Sequence, residues 1–187
     1  MKSIVSVFSF VYGLWLLIFV LLTGCAAAQR PLTDVAMIDW APRIAHELAA
    51  TVRANTLAVD ENYLSITDAQ ITQLLAFVKK HQRRGRYHQD LWDCDDIARE
   101  FRVLASEWAV QTFKPPAPGG LACTTLLVNI HEGRIDGLHD YQVSLHAMTA
   151  VRRNDGVWFL IEPASCKRTP LLGPIYEGSI SVIAADL

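Results

Sequence analysis

Apolar residues recur at helical spacing in the first half of the domain and form strand-like runs in its second half. A first amphipathic helix is predicted over 42–54, with Pro42 at its first position. A second helix follows the capping-box sequence Thr67-x-x-Gln70. Its apolar face consists of Ile71, Leu74, Leu75 and Val78.

The third predicted helix begins beside a cysteine. Its apolar positions follow one another at helical intervals: Ile97, Phe101, Leu104, Ala105 and Trp108. Asp93 suits the N-cap, and Asp95 and Asp96 stand in the first turn, where carboxylates stabilise the helix dipole. Cys94 is therefore expected in the first turn of this helix.

Beyond the Pro/Gly-rich segment 114–120 the pattern changes to β-strands. The predicted strands are Leu121–Ile130, Tyr141–Val151, Val157–Ile161 and Ser179–Ile183. Asn154-Asp155-Gly156 is a strong turn sequence that joins the second of these strands to the third in a hairpin. Helices followed by antiparallel strands predict an α+β domain.

The chain begins with an uncharged apolar stretch, Ile4–Leu22, followed by Leu-Thr-Gly-Cys25. This arrangement is typical of a secretory signal peptide, and its ending resembles a bacterial lipobox, in which the cysteine is lipidated. We predict a signal peptide over 1–24, a lipidated Cys25 with a linker over 25–31, and one domain over 32–187. An uncleaved transmembrane anchor is the alternative, because about nineteen apolar residues can just span a bilayer.

Both alternatives place the domain outside the cytoplasm and attached to a membrane. The expected location is the bacterial cell envelope, with the domain facing the periplasm or the exterior. In a host with two membranes we expect the outer membrane, since Ala26 rather than Asp follows Cys25. The apolar fraction of 51% is raised by the leader, and the net charge of −2 gives no electrostatic reason to expect nucleic-acid binding.

The chain has four cysteines, of which lipidation would use one. Cys94, Cys123 and Cys166 are then left, an odd number in an oxidising compartment, which favours one disulfide and one free thiol. No two of them have the close spacing of metal-binding cysteine pairs.

The predicted hairpin brings a histidine near a carboxylate. A short loop at Asn154–Gly156 places His146 opposite residue 162, 163 or 164, so Glu162 becomes its cross-strand or diagonal neighbour. A register slip of one residue would separate them. A histidine held by a carboxylate can act as a general base, and Cys94, at a helix N-terminus that lowers a thiol pKa, supplies a nucleophile.

These residues resemble a known family. Trp92-Asp-Cys-Asp-Asp-Ile-Ala98, His146-Ala147 and Glu162-Pro163 are similar to motifs of the papain-like cysteine protease family that includes the C-terminal domain of the fairy-ring mushroom (Marasmius oreades) agglutinin and bacterial and phage relatives. The resemblance covers residues 60–165 and implies a papain-like α+β fold. It also implies that Cys94 is the nucleophile, His146 the base and Glu162 the acid that orients it.

The resemblance implies two further roles. The family's oxyanion donor is a glutamine about six residues before the cysteine, and Gln89 lies five before it, with the Cys94 amide as the second donor. With Cys94 reserved as the nucleophile, Cys123 and Cys166 would form the disulfide.

Calcium is the one cofactor that the resemblance raises, because the family is calcium-dependent. Asp93, Asp95 and Asp96 have the oxygen ligands that calcium prefers. Helix capping and the helix dipole already explain these three carboxylates, so no cofactor is predicted.

The predicted function is a membrane-anchored cysteine hydrolase acting on an amide or peptide bond, with a protein, peptide or cell-wall peptide as its partner and no nucleic acid. Transglutaminase-like acyl transfer would use the same Cys94, His146 and Glu162. A non-catalytic envelope lipoprotein that binds a partner is a third alternative. It would bury or cross-link Cys94 and separate His146 from Glu162.

Overall fold

A computed structural model describes residues 36–52, 56–83, 93–113, 119–131, 134–135, 139–140, 145–171 and 180–187. All of them belong to the unit formed by Pro31–Leu187. The predicted signal peptide, Cys25 and Gln89 lie outside the described residues, so the envelope location stays a prediction. None of the helices that the structure describes is long and apolar enough to cross a membrane.

The described residues form three helices and eleven strands. In chain order they are β1 (Ala36–Trp40), α1 (Ala41–Val52), β2 (Thr56–Leu57), β3 (Asn62–Ile66), α2 (Asp68–His81), α3 (Cys94–Thr112), β4 (Gly120–Leu121), β5 (Cys123–Ile130), β6 (Arg134–Ile135), β7 (His139–Asp140), β8 (Leu145–Arg152), β9 (Trp158–Glu162), β10 (Lys167–Pro170) and β11 (Ile180–Asp186). The capping box predicted before α2 is present, with Thr67 and Gln70 bonded reciprocally.

A six-stranded sheet is the centre of the fold, with the strand order β10-β9-β8-β5-β11-β2. Its pairs are antiparallel except β11 with β2. A smaller sheet has the order β1-β3-β4, in which β3 and β4 are parallel, and β6 pairs with β7.

Helices cover both faces of the central sheet. On one face, α1 contributes Ile44 and Leu48 to a core with side chains of β5, β8, β9 and β11. On the other, α2 and α3 contribute Leu74, Phe101 and Trp108 to a second core. Burial on both faces explains why β8 and β9 contain nearly continuous apolar runs rather than a strict alternation.

The predicted order of a papain-like α+β domain, helices first and an antiparallel sheet afterwards, is wrong. Strand β1 precedes every described helix, β3 separates α1 from α2, and two strand pairs are parallel. The reason is that these early strands bury polar residues, Asp39 in β1 and Ser65 in β3, while Ile38 and Trp40 are exposed. Apolar periodicity therefore does not mark them.

Arg152 binds the residues that make these strands hard to predict. Its side chain on β8 is 2% exposed. One terminal nitrogen, Nη1, donates to Asp39 Oδ2 and to Ser65 Oγ, both at 2.7 Å, and Nη2 donates to Glu47 Oε2 at 2.8 Å. A single guanidinium thus joins β1, α1 and β3 to the central sheet.

The predicted disulfide between Cys123 and Cys166 is also wrong, because both thiols and that of Cys94 are free. Cys123 lies on β5, and Cys166 follows β9, with β8 between those strands. Two strand spacings separate the residues by about 10 Å. Cα atoms joined by a disulfide lie within roughly 7 Å of each other.

We expect Arg152→Met to lower the free energy of unfolding by about 3–5 kcal/mol, because it removes the buried cation of Asp39 and the partner of the half-buried Glu47. Arg43→Met is the matched control, since Arg43 also binds Asp39, at 2.8 Å, but its side chain is 65% exposed. That variant should lose less than about 1 kcal/mol. Urea unfolding measures both values, and equal losses would contradict a dominant role for the buried arginine.

Candidate functional site

The β8–β9 hairpin places a histidine beside a glutamate. Thr149 pairs with Ile161, so the next residue of β9, Glu162, lies diagonally across from His146. The connecting turn depends on Gly156, whose φ of +92° favours glycine. His146 Nε2 and Glu162 Oε2 are 3.0 Å apart.

The Glu162 side chain is fixed from two directions. While one carboxylate oxygen contacts His146, the other accepts a hydrogen bond from the Ala164 N–H at 3.2 Å. The backbone carbonyl of Glu162 accepts from the Cys166 N–H at 2.8 Å, which closes a turn directly after the strand. Glu162 is only 3% exposed, so its orientation toward the imidazole is set by protein contacts.

Cys94 is the first residue of α3, as the sequence predicts. The Asp93 carboxylate caps the helix by accepting from the Asp95 N–H at 3.2 Å. A hydrogen bond with His146 lowers the pKa of the Cys94 thiol, and the Ala147 backbone N–H contributes to this effect. Partial burial and the Asp93 charge oppose it without reversing its direction.

The imidazole has a pKa shifted in the opposite direction. Burial disfavours its charge, but hydrogen bonds with Cys94 and Glu162 outweigh burial and raise the pKa of His146 to about 9. At neutral pH the imidazole therefore keeps its proton, and the lowered pKa of Cys94 moves the thiol toward its anion. Because Nε2 faces Glu162, Nδ1 is the ring nitrogen that exchanges a proton with Cys94.

The other two described thiols have different surroundings. Burial raises the pKa of Cys123 to about 12 and that of Cys166 to about 11. Of the described cysteines, Cys94 is thus the thiol whose surroundings favour the reactive anion.

Three carboxylates stand at the start of α3, and oxygen atoms of Asp93, Asp95 and Asp96 lie within 4.8 Å of one another. A hydrogen bond between the carboxyl groups of Asp93 and Asp95 lowers the pKa of Asp93 and raises the pKa of Asp95. Arg99 binds Asp95 at 2.7 Å and Asp96 at 3.6 Å. A cation held by these oxygens would compete with Arg99, which already balances part of their charge.

An open cleft of about 610 Å³ lies in front of the thiol. Among the residues that line it are Cys94, His146, Arg102, Thr125, Leu127 and Asp186. Sequence reasoning missed Arg102 and Asp186. Arg102 has a recognisable signal, because eight residues along a helix place it about 80° around the axis from Cys94, within one broad face. Asp186 has none, since a β-bulge determines its direction.

The structure brings Cys94, His146 and Glu162 together, whereas Gln89 lies outside the described residues.

No protein-family model matches the chain, and neither does any curated protein. Among solved structures, one described as "PSL1a-E64 complex" is 17% identical, with a TM-score of 0.59, over 80% of this chain and 50% of that chain. Polyporus squamosus lectin, bound to the epitope Neu5Aca2-6Galb1-4GlcNAc, is 16% identical, with a TM-score of 0.58, over 84% of this chain and 55% of that chain.

These comparisons correct the family prediction. The solved structures include a lectin bound to a sugar, and no family model supports the resemblance to papain-like cysteine proteases, so that assignment and its fold class are wrong. The predicted hydrolase, with its acyl-transferase alternative, is corrected by the same finding. The resemblance rested on three short motifs, and short motifs do not determine a fold or an activity. The chain spans about half the length of these structures, and at this level of identity the likeness shows a shared fold alone.

The lowered pKa of Cys94 predicts selective alkylation. At pH 6.5, iodoacetamide should modify Cys94 before Cys123 and Cys166, and His146→Ala should slow this reaction at least about fivefold, because the thiol loses the partner that favours its anion. The measurement is the rate of modification at each cysteine, obtained by peptide mass mapping. Cys166→Ser is the control and should keep the unsubstituted rate at Cys94. Equal rates at the three thiols would contradict the prediction.

Proposed function

We propose that the domain uses Cys94 as a nucleophile that forms a covalent bond with an electrophilic carbon of a ligand in the cleft. The observation that carries the proposal is the hydrogen-bonded series Glu162–His146–Cys94, with the thiol pKa lowered and the imidazole pKa raised. A thiolate is the reactive form of cysteine, and the cleft exposes this one to a ligand.

Each group has a distinct task in this reaction. The Cys94 sulfur forms a bond to the carbon, and the bond from that carbon to its leaving atom breaks. His146 Nδ1 gives its proton to the leaving atom where that atom is an oxygen. Glu162 stabilises the imidazolium before the transfer and keeps the ring oriented throughout.

A similar structure supports this chemistry. One chain that shares the fold is described as a complex with E64. E64 carries an epoxide, which a thiolate opens by forming an S–C bond while the C–O bond breaks and the oxygen takes up a proton. A ligand of this kind suits a site that holds a thiolate and a proton donor together.

E64 therefore tests the proposal directly. We expect intact-mass analysis to show one adduct per chain, on Cys94, and none in Cys94→Ser. Glu162→Gln should form the adduct at least about tenfold more slowly, because the amide cannot stabilise the imidazolium. Cys166→Ser is the matched control, since it removes a described thiol outside the series and should react like the unsubstituted protein. An adduct at Cys123 or Cys166, or none at all, would refute the nucleophile assignment.

A second candidate is carbohydrate binding. The observation that favours it is the similarity to Polyporus squamosus lectin bound to a sialylated trisaccharide. This chain covers 55% of that lectin, so the proposal requires that the shared half contribute to sugar binding. Carbohydrate binding would extend the expected partners from peptides to glycans.

We expect the trisaccharide Neu5Acα2-6Galβ1-4GlcNAc to bind with a dissociation constant at or below the millimolar range, measured by isothermal titration calorimetry. The asialo disaccharide Galβ1-4GlcNAc is the ligand control, and weaker binding to it would show that the sialic acid is recognised. Cys94→Ser should bind equally well, because lectin binding needs no thiol. No heat of binding with either sugar at millimolar concentration would eliminate this candidate.

A further inference from the structure

We propose that the cleft has a carboxylate-binding subsite, centred on Arg102, about 12 Å along α3 from Cys94. This inference rests on the proposed function, since it concerns the ligand on which Cys94 acts. It assigns that ligand a chemical class: an extended molecule with an electrophilic carbon at one end and a carboxylate at the other.

The helix aligns the two ends of the subsite. Cys94 and Arg102 are eight residues apart, which places them about 80° apart around the axis of α3 and within one broad face of the helix. Cys94 and Arg102 both line the cleft. Eight residues at the helical rise separate their backbones by about 12 Å, the span of three to four extended residues of a ligand.

The floor of the cleft contains a threonine whose hydroxyl has no partner among the described residues. Thr125 on β5 lines the cleft, and Thr149 on β8 lies directly opposite it. In the part of the chain that the structure describes, neither hydroxyl makes a hydrogen bond, although both oxygens are shielded from solvent. Unpaired buried hydroxyls are costly, and a rotation of the Thr125 side chain toward the cleft would let a ligand oxygen satisfy this one.

An irregularity in β11 adds a carboxylate to the lining of the cleft. The register shifts between Val182 and Ala184, which leaves Ile183 as the bulged residue. Val182 and Ala185 pack in the core beneath the sheet, whereas Asp186 lines the cleft and lies opposite Thr125. The bulge thus turns the end of β11 so that its carboxylate reaches the cleft.

Arg102 already holds a carboxylate in the cleft. Its Nη1 donates to Asp186 Oδ2 at 2.8 Å, the one hydrogen bond of this guanidinium among the described residues. A guanidinium has five N–H donors in a planar fork, and paired contacts with a carboxylate use two of them. Asp186 is the more exposed partner, 60% against 30% for Arg102, so a ligand carboxylate can share the fork or displace it.

Charges near the thiol favour the far end for an anion. Asp93 and Asp95 line the cleft beside Cys94, and Arg99 is bound to Asp95. A carboxylate close to the thiolate would meet these negative groups, whereas one at Arg102 would meet the cation and the Thr125 hydroxyl. The cleft therefore favours ligands whose carboxylate lies far from the carbon that Cys94 attacks.

Two matched thiol reagents test this inference. Acetyl-triglycyl chloromethyl ketone and succinyl-triglycyl chloromethyl ketone share the carbon that Cys94 attacks, with loss of chloride, but only the second has a carboxylate at the far end. At low salt we expect the succinyl reagent to modify Cys94 about fivefold faster than the acetyl reagent, and this ratio to fall in 0.5 M NaCl as the charges are screened. Taking the ratio within each variant cancels any change in the thiol itself.

Variants of the ion pair should change this ratio in opposite directions. Arg102→Gln should reduce it to about one, and Asp186→Asn should increase it, because the competing carboxylate is lost. Arg99→Gln removes the same charge elsewhere in the cleft and should keep the unsubstituted ratio. A ratio of one in the unsubstituted protein, or an equal fall in both arginine variants, would overturn the subsite while leaving the nucleophile in place. If neither reagent modifies Cys94 faster than free cysteine at pH 6.5, the proposed function falls as well.

Discussion

The fold depends on one buried guanidinium. Arg152 is the cation for two carboxylates, Asp39 and Glu47, that arrive from a strand and a helix early in the chain. Leaving a buried ion without a partner costs several kcal/mol, so the buried Asp39 and Arg152 depend on each other, and the partly exposed Glu47 adds to the same network. The early segment must therefore dock on β8 before its own polar residues are satisfied. The core is therefore held together by the ion pairs of Arg152 as well as by apolar contacts.

The same strand connects this centre to the candidate site. Arg152 ends β8, and His146 stands six residues earlier, near the opposite end. The turn beyond Arg152 lies against the ion pairs of that arginine, since a Cβ at Gly156 would lie 3.2 Å from a Glu47 oxygen. A hairpin held at that point has one register, and that register decides whether Glu162 faces the histidine. The buried arginine and the reactive thiol are thus linked through β8.

Sequence reasoning succeeded where local rules determine the structure. The α3 face, the Asp93 cap and the Asn154–Gly156 turn follow from residue spacing and turn chemistry, and they were sufficient to bring three candidate groups together. It failed where buried residues are polar: β1 and β3 point Asp39 and Ser65 inward. The false disulfide has a different cause, because cysteine counting gives no distances. The family was misjudged because short motifs report local chemistry, whereas the strand order depends on contacts between distant segments.

The order of the central sheet also bears on how the protein avoids aggregation. A strand at the edge of a sheet presents unpaired backbone groups to which another chain can add. Here the edge strands are β10 and β2. The first contains Lys167 and Arg168 and ends at Pro170, which has no N–H to donate, and the second is only two residues long. The β10 edge is therefore a poor template for a strand of another chain, and β2 shields the Ala185–Asp186 end of β11 from the same contact.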